Sequence, residues 1–178
     1  GSSTDSPASL IGGGCTEKGI LKTSYGTGSF MSLYTGDDVI ISDKGLFSSC
    51  VWRLDGKPCY RLFGAAYVAG AAVEWLKNGI GIIDDARATE QMALSVPDSN
   101  DVYFVPAFAG FATPYWDQYA RGLFIGLTAG VTREHLVRAV LESMAFQVTN
   151  CYRTMRDAFG RDSQVMRADG GMVENRFV

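Results

Sequence analysis

Three short segments rich in small residues have the composition expected of a site for a phosphorylated ligand. Tyr25–Ser29 holds Thr27 between two glycines, which lets backbone N–H groups and a hydroxyl approach an anion closely. Asp169–Gly171 follows a predicted strand and opens a predicted helix, and Gly70–Ala72 lies on another predicted helix. Each segment alone is explained at least as well as a hairpin turn, a strand-to-helix turn or a tight packing contact. Together, on three separate elements, they indicate one wall of a nucleotide site.

Other chemistries find less support in the sequence. No Gly-x-x-x-x-Gly-Lys-Ser/Thr segment is present, which excludes P-loop NTPases, and no Gly-x-Gly-x-x-Gly segment supports a dinucleotide site. The single histidine, His135, stands at a predicted helix start, and we interpret it as a solvated helix residue rather than a member of a catalytic triad. Asp5 is a candidate catalytic carboxylate, and an exposed terminal aspartate is the alternative interpretation.

The composition indicates a folded protein and excludes several classes of partner. Of the 178 residues, 47% are hydrophobic and 20% charged, and the formal net charge is −3. That charge provides no basic field for nucleic acid or an anionic membrane, and no stretch approaches the ~20 apolar residues of a membrane span. The N-terminus lacks a signal-peptide pattern, and the four cysteines, none in CxxC spacing, are interpreted as reduced, mostly buried thiols. We therefore expect a cytoplasmic protein.

The hydrophobic periodicity predicts an α/β domain with a mixed sheet and helices packed on it. Runs of β-forming residues broken by glycine turns predict antiparallel hairpins over 20–34 and 46–63. Helical spacing predicts four helices, over 8–15, 67–76, 84–97 and 132–159. Short apolar runs predict three further strands, over 102–105, 123–127 and 164–168.

An aromatic segment, 107–121, lacks a clear period and is predicted to be a long ordered loop. Burying its Tyr and Trp rings would contribute several kcal/mol, at roughly 25 cal/mol per Å² of apolar surface. We therefore expect the part from Phe108 to Tyr119 to pack on its own domain and to frame the cleft of the site.

The order and spacing of these motifs resemble the C-terminal half of the glycerol kinases, within the wider FGGY family of carbohydrate kinases. The resemblance runs from Asp5 to the end of the chain. It is carried by Tyr25–Phe30, Val68–Leu76, Tyr103–Phe108, Pro114–Asp117, Ala120–Gly122, Gly126–Thr128, Asp169–Gly171 and Asn175. It implies that residues 5–178 form an incomplete ribonuclease H-like domain of an actin-like ATPase, truncated in the helix after Gly171. Residues 1–4 would be a linker or the remnant of an expression tag.

The resemblance also implies roles for individual residues. Asp5 matches the family's catalytic aspartate, which binds substrate and shares Mg²⁺ with the phosphates of ATP. Phe30 matches an aromatic residue that packs on the glycerol carbons, and Ser6 replaces a glutamine that helps to hold glycerol. The matching nucleotide contacts are Thr27, Gly70, Val73, Glu74, Gly171 and Asn175. Glu74 departs from the glutamine found in many members.

The function that the resemblance implies is that of an ATP-dependent kinase converting glycerol to glycerol 3-phosphate. An N-terminal domain of the same enzyme would complete the site, the intact enzyme would be a homo-oligomer, and the 178-residue chain alone would be inactive. Two alternatives remain open. One is a family member acting on another sugar, such as a pentulose. The other is a non-catalytic nucleotide-binding or interaction module, which the departure at Thr4–Pro7 favours.

Overall fold

A computed structural model describes residues 5–178, and the interpretation of residues 1–4 lies outside that range. Seven strands lie within it, namely β1 (Leu21–Tyr25), β2 (Ser29–Gly36), β3 (Phe47–Leu54), β4 (Lys57–Ala66), β5 (Tyr103–Val105), β6 (Leu123–Ile125) and β7 (Met166–Asp169). The α-helices in the same range are α1 (Asp5–Gly12), α2 (Gly70–Glu74), α3 (Ala88–Leu94) and α4 (Arg133–Phe159). A π-helical turn, Trp75–Gly79, extends α2, and a 3₁₀ turn, Gly171–Glu174, follows β7.

The main sheet has the strand order β3-β4-β2-β1-β7. The first four strands pair antiparallel as two hairpins, whereas β7 pairs parallel to β1 after the chain has crossed the sheet through α4. The two predicted hairpins and the mixed sheet are confirmed. The register sets Leu21 beside Leu33 and Ser24 beside Asp169, so the ends of β1 and β7 meet at one edge.

The alternation of side chains along the strands gives the main sheet two unlike faces. One face packs against α4 in an apolar core whose main members are Leu21, Met31, Leu33, Leu62, Val148, Cys151 and Met155. Gly64 of β4 permits close contact with α4, because a Cβ there would lie 2.5 Å from the Cys151 sulfur. The residues between them in sequence point to the opposite face, where α1 and most of the polar strand residues lie.

Strands β5 and β6 form a separate two-stranded sheet and do not extend the main one. They pair over three residues, from Tyr103 beside Ile125 to Val105 beside Leu123. Aromatic packing holds them in place, since Phe104 lies 4.7 Å from Phe124 between ring centroids. Strands this short were correctly located by their apolar runs, but those runs carry no information about which sheet they join.

Two helical predictions need correction in detail, and the interpretation of His135 gains detail. The helix predicted to begin near 84 is α3, which begins at Ala88. The helix expected after Gly171 is a single 3₁₀ turn. His135 is half-buried and caps α4, since its Nδ1 accepts a hydrogen bond of 3.0 Å from the backbone N–H of Thr132. His135 therefore lies in the helix, as interpreted, and the structure adds its partial burial and its capping role.

The four cysteines are free thiols, but they are less buried than the sequence suggested. Cys15 and Cys151 are buried, Cys59 is half-buried and Cys50 is exposed. Between residues 5 and 178, no helix combines the length and the apolar character needed to cross a membrane.

The Cys151 thiol is expected to stay protonated in the folded protein. Burial raises its pKa to about 12 from the usual 9.0. Its contribution to stability is therefore complete below about pH 9 and is lost as the pH rises towards 12, because only the unfolded thiol ionises readily there. In a mass-spectrometric time course with iodoacetamide at about pH 8, Cys50 should be labelled and Cys151 should react only after denaturant is added. Native-state labelling of both at similar rates would contradict this expectation.

Candidate functional site

A cavity of about 480 Å³ lies on the face of the main sheet opposite α4. Four elements build it, because α1 covers this face beside the polar sides of β1, β2 and β4. Its lining residues are Asp5, Ser6, Ser9, Lys22, Ser24, Phe30, Ser32, Arg61 and Phe63. We call this space the α1 cavity.

The α1 cavity brings together the residues expected to bind the phosphoryl acceptor. Asp5 is exposed at the start of α1, so its carboxylate is open to a ligand. The hydroxyl of Ser6 accepts a hydrogen bond from Nη1 of Arg61. Phe30 is 44% exposed, and its ring stacks on that of Phe63 with 6.2 Å between centroids. The arrangement offers one free carboxylate beside an aromatic surface suited to the carbon side of a polyol.

Sequence reasoning missed two cations in the wall of the α1 cavity. Lys22 is only 3% exposed, and its Nζ lies 2.6 Å from a carboxylate oxygen of Asp169 and donates to the Ser24 hydroxyl at 2.5 Å. Arg61 is 9% exposed and contacts hydroxyl groups on three other elements. The signal was present, because each cation is next to a leucine in its strand, Leu21 or Leu62, and neighbouring side chains in a strand point to opposite faces of the sheet.

The Lys22–Asp169 pair fixes the charge of the carboxylate at the end of β7. Burial alone would raise the pKa of Asp169, but hydrogen bonds from Lys22 and Ser24 and the lysine charge outweigh it and lower that pKa. Asp169 therefore stays ionised, and Lys22 ties β1 to the turn that follows β7. This contact joins the α1 cavity to the glycine segment singled out in the sequence.

A second cavity, of about 390 Å³, lies where that turn meets the Tyr25–Ser29 hairpin and α2. Its lining residues are Tyr25, Gly26, Thr27, Gly70, Ala71, Val73, Glu74, Ala86, Gly171 and Met172. We call it the hairpin cavity. All the residues expected to contact the nucleotide line it except Asn175.

Backbone hydrogen bonds hold the hairpin turn against α2. The carbonyl of Thr27 accepts from the N–H groups of Ala69 at 2.8 Å and Ala71 at 3.0 Å, and that of Gly26 accepts from Gly70 at 3.0 Å. The small residues of both segments thus have a packing role, which agrees with the explanation of these segments as a hairpin turn and a tight packing contact. The same contacts set the position of the exposed Thr27 at the mouth of the cavity.

The other predicted nucleotide contacts differ in how accessible they are to a ligand. Gly171 faces open space, since no atom of residues 5–178 outside its immediate neighbours in sequence lies within 4 Å of where its Cβ would stand. Val73 is 2% exposed and belongs mainly to the core. The Glu74 carboxylate accepts a hydrogen bond of 2.8 Å from Asn78. Asn175 lies away from the cavity lining, with its amide nitrogen donating to Thr89 at 3.1 Å.

The two cavities are neighbours along one strand. Lys22 and Ser24 of β1 line the α1 cavity, whereas Tyr25 and the turn after it line the hairpin cavity. Successive residues of a strand advance roughly 3.3 Å, so the linings of the two cavities follow each other directly along β1.

The aromatic loop packs on its own domain, as predicted. Trp116 donates from Nε1 to the carbonyl of Gly45 at 2.8 Å, and its ring meets Phe47 edge-on with 5.2 Å between centroids. None of Phe108–Tyr119 lines the α1 or the hairpin cavity, and the expectation that the loop frames the cleft stays a prediction. The loop borders a third cavity, of about 420 Å³, against α4.

Within residues 5–178, no group of three His, Cys, Asp or Glu side chains is placed to hold a metal ion. Mg²⁺ often takes one or two carboxylates and completes its shell with substrate phosphates and water. The exposed carboxylate of Asp5 suits that kind of shared coordination, and a cage built from protein side chains alone does not fit the described residues.

Four antiparallel strands, β1 to β4, are followed through α4 by β7, which pairs parallel to β1. This is the arrangement of a ribonuclease H-like domain of the actin-like ATPase class, the fold of the kinase structures that the chain resembles. The profile of the FGGY family of carbohydrate kinases, C-terminal domain, matches residues 21–178. The chain belongs to this family.

Named relatives agree with this assignment. A glycerol kinase 2 of Thermotoga maritima is 46% identical over 178 residues, which is 100% of this chain and 36% of the relative. The structure of Plasmodium falciparum glycerol kinase with ADP has a TM-score of 0.91 at 34% identity, covering 97% of this chain and 35% of that one. A xylulose kinase from Rhodospirillum rubrum has a TM-score of 0.80 at 26% identity, covering 97% and 34%. The chain thus spans about a third of the length of these relatives.

Proposed function

We propose that the intact protein is an ATP-dependent kinase that transfers the γ-phosphoryl group of ATP to glycerol, giving glycerol 3-phosphate. The observation that carries this proposal is the pair of adjoining cavities. The residues implied for the acceptor, Asp5, Ser6 and Phe30, line one cavity, and Thr27 and Gly171 line the other. The 46% identity to a protein named glycerol kinase 2 supports glycerol as the acceptor.

In this mechanism Asp5 accepts the proton of the attacking glycerol hydroxyl. A base does this best when it is fixed within hydrogen-bond distance of that hydroxyl, and Asp5 is open to the cavity at a helix start. Phe30 packs on the carbon chain and turns the hydroxyls towards Asp5. Positioning and charge neutralisation account for most of the catalysis in such a transfer.

On the nucleotide side, Thr27 and the glycine turns hold the phosphates of ATP. Gly171 leaves open space beside the backbone, so a phosphate or ribose can approach it closely. Asp5, together with the phosphates of ATP, would hold Mg²⁺, and the ion would supply positive charge against that of the transferred group. Asp169, held ionised by Lys22, fixes the turn that carries Gly171.

The proposal extends to the partners of this domain. An N-terminal domain of the same enzyme closes the cleft over both cavities, and the intact enzyme assembles as a homo-oligomer. The free thiols of all four cysteines favour the cytoplasm as its location.

A pentulose kinase is the second candidate, and the size of the α1 cavity favours it. Cavities of roughly 300–1,000 Å³ hold ligands of drug size, and the α1 cavity has about 480 Å³. That space accommodates an acceptor larger than a three-carbon polyol. The likeness to a xylulose kinase structure agrees with this second candidate.

An assay of the intact protein tests the proposed function. ADP release with ATP and Mg²⁺ is measured with glycerol, with D-xylulose and with no acceptor, and residues 1–178 alone are assayed in parallel. We expect release to depend on glycerol in the intact protein and to be absent from the shorter chain. If ADP release depends only on D-xylulose, D-xylulose replaces glycerol as the proposed substrate. Nucleotide binding without release for either acceptor would leave the non-catalytic module as the function.

A further inference from the structure

Arg61 is a nearly buried cation that no described carboxylate neutralises. Its Nε donates to the Ser49 hydroxyl at 3.1 Å, and Nη1 donates to the hydroxyls of Ser32, at 3.0 Å, and Ser6. Its guanidinium carbon lies 4.7 Å from the centre of the Phe63 ring. Among residues 5–178 no Asp or Glu oxygen comes within 4.0 Å of it.

A buried charge in such surroundings is costly, because hydroxyl groups and a ring compensate the lost water only in part. Burial accordingly lowers the pKa of Arg61, although a guanidinium remains protonated in proteins. Stability alone does not account for a cation at this position. The planar guanidinium of Arg donates several hydrogen bonds in fixed directions at once, and so it can hold several partners in place, which an apolar side chain cannot do.

The partner that matters is Ser6, because it is the residue after the proposed base. Ser32 and Ser49 lie on β2 and β3, which the sheet already holds in place, but Ser6 lies in the first turn of α1. Leu10, near the other end, is the one fully buried side chain described for that helix. The backbone carbonyl of Ser6 also accepts a hydrogen bond of 2.8 Å from Ser9. The start of α1 is thus tied to the sheet mainly through the contact between Arg61 and Ser6.

We propose that Arg61 is a positioning residue that fixes the start of α1 through the Ser6 hydroxyl and so aims Asp5 into the α1 cavity. The catalytic part of this inference rests on the proposed function, and the anchoring part does not. The proposal also gives Ser6 a role. Its hydroxyl, which replaces the glutamine implied by the resemblance, accepts the hydrogen bond from Arg61.

Hydrogen exchange in the intact protein tests the anchor without reference to activity. We compare Arg61→Gln and Ser6→Ala with the wild type, and use Arg53→Gln, an exposed arginine on β3, as the matched control. Amides of α1 should exchange at least about tenfold faster in both test variants, because the closed state of the helix start loses its hydrogen bond to a charged donor. Protection in α4 should be unchanged, as should all protection in Arg53→Gln.

Kinetics then tests the catalytic part. Misplacing a reacting group by about 1 Å can cost ~10² in rate, so kcat with glycerol should fall up to about 100-fold in Arg61→Gln while KM for ATP changes less than about twofold. Arg61→Lys, which keeps the charge but not the planar guanidinium, should recover only part of kcat. Because Arg61 acts through Ser6, the double variant Ser6→Ala/Arg61→Gln should be no slower than Arg61→Gln alone.

Each outcome has a defined meaning. Unchanged α1 exchange in Ser6→Ala and Arg61→Gln overturns the proposal, and so does loss of protection spread evenly through the sheet, which would make Arg61 a structural residue only. Fully additive kinetic losses also overturn it. If the wild type phosphorylates neither acceptor but α1 alone loses protection, the anchor stands and the proposed function fails.

Discussion

Replacing Asp5 with asparagine in the intact protein is expected to lower kcat for glycerol by ~10²–10⁴, the usual cost of losing a positioned general base. Asparagine keeps the size of the side chain and removes its ability to take the proton. The carboxylate lies in the α1 cavity with Phe30 and Ser6, whereas the residues implied for ATP line the hairpin cavity. Nucleotide affinity should therefore stay within about twofold of the wild type.

The fold of Asp5→Asn should be nearly unaffected. Asp5 is exposed in the first turn of α1, so the change removes a favourable charge at a helix start, worth about 0.3–1 kcal/mol. Asp43→Asn is the matched control, because Asp43 is an exposed aspartate that lines neither cavity. Phosphate transfer and ATP binding are measured for both. A near-normal kcat in Asp5→Asn, or a loss of ATP affinity as large as the loss of rate, would remove Asp5 from the role of base.

The local elements of the fold were predictable because their signals lie within a few residues of one another. Alternating side chains around a two-residue turn at Asp55 predicted the β3–β4 hairpin, and its register confirms the pairing. The helix α4 combines an apolar stripe with Thr132 before its first residue and Gly160, in a left-handed conformation, after its last. Each signal is a property of the local backbone, so no knowledge of distant partners was needed.

The contacts that build the α1 cavity were not predictable, because their partners are far apart in the chain. Ser6 and Arg61 are separated by 55 positions. Neither residue indicates a site in the sequence, because they meet only when β4 pairs with β2 and α1 packs against this face of the sheet. Lys22 and Asp169 meet only because β7 pairs parallel to β1. In the sequence alone, Lys22 is one polar residue of a predicted strand, and nothing there indicates that Asp169 is its partner.

The positions implied by the resemblance were found by matching motifs, and the structure shows where such matching reaches its limit. Thr27 and Gly171 come together at one cavity, as the motif order implied. Asn175 belongs to the same motif, but its side chain is engaged within the protein. Its Oδ1 accepts a hydrogen bond of 3.0 Å from the backbone N–H of Phe177 while its amide binds Thr89. Whether a side chain is free for a ligand depends on neighbours that a motif does not include.

Alanine is expected to lower the stability of the protein at one glycine of the turn after β7, Gly170, and to leave it nearly unchanged at the other, Gly171. Gly170 has a φ of 98°, and a Cβ there would stand 2.1 Å from the carbonyl oxygen of Tyr25. Alanine would add backbone strain of about 1–3 kcal/mol and an overpacking cost of about 1–3 kcal/mol. We therefore expect Gly170→Ala to lower the free energy of unfolding by about 2–6 kcal/mol, measured by urea denaturation of the intact protein.

Gly171→Ala is its neighbour and control. It should leave stability within about 1 kcal/mol of the wild type, because no described atom of the chain lies within 4 Å of the added methyl group. That methyl group would project into the hairpin cavity. If ATP binds there with its phosphates or ribose against the backbone, the methyl group costs about 1–3 kcal/mol of overpacking, which corresponds to roughly 5–150-fold weaker binding. Calorimetric titration with ATP measures the effect. Since no atom of residues 5–178 contacts this methyl group, a loss of affinity at unchanged stability is assigned to contact with the ligand. Wild-type affinity in Gly171→Ala would mean that the nucleotide binds elsewhere.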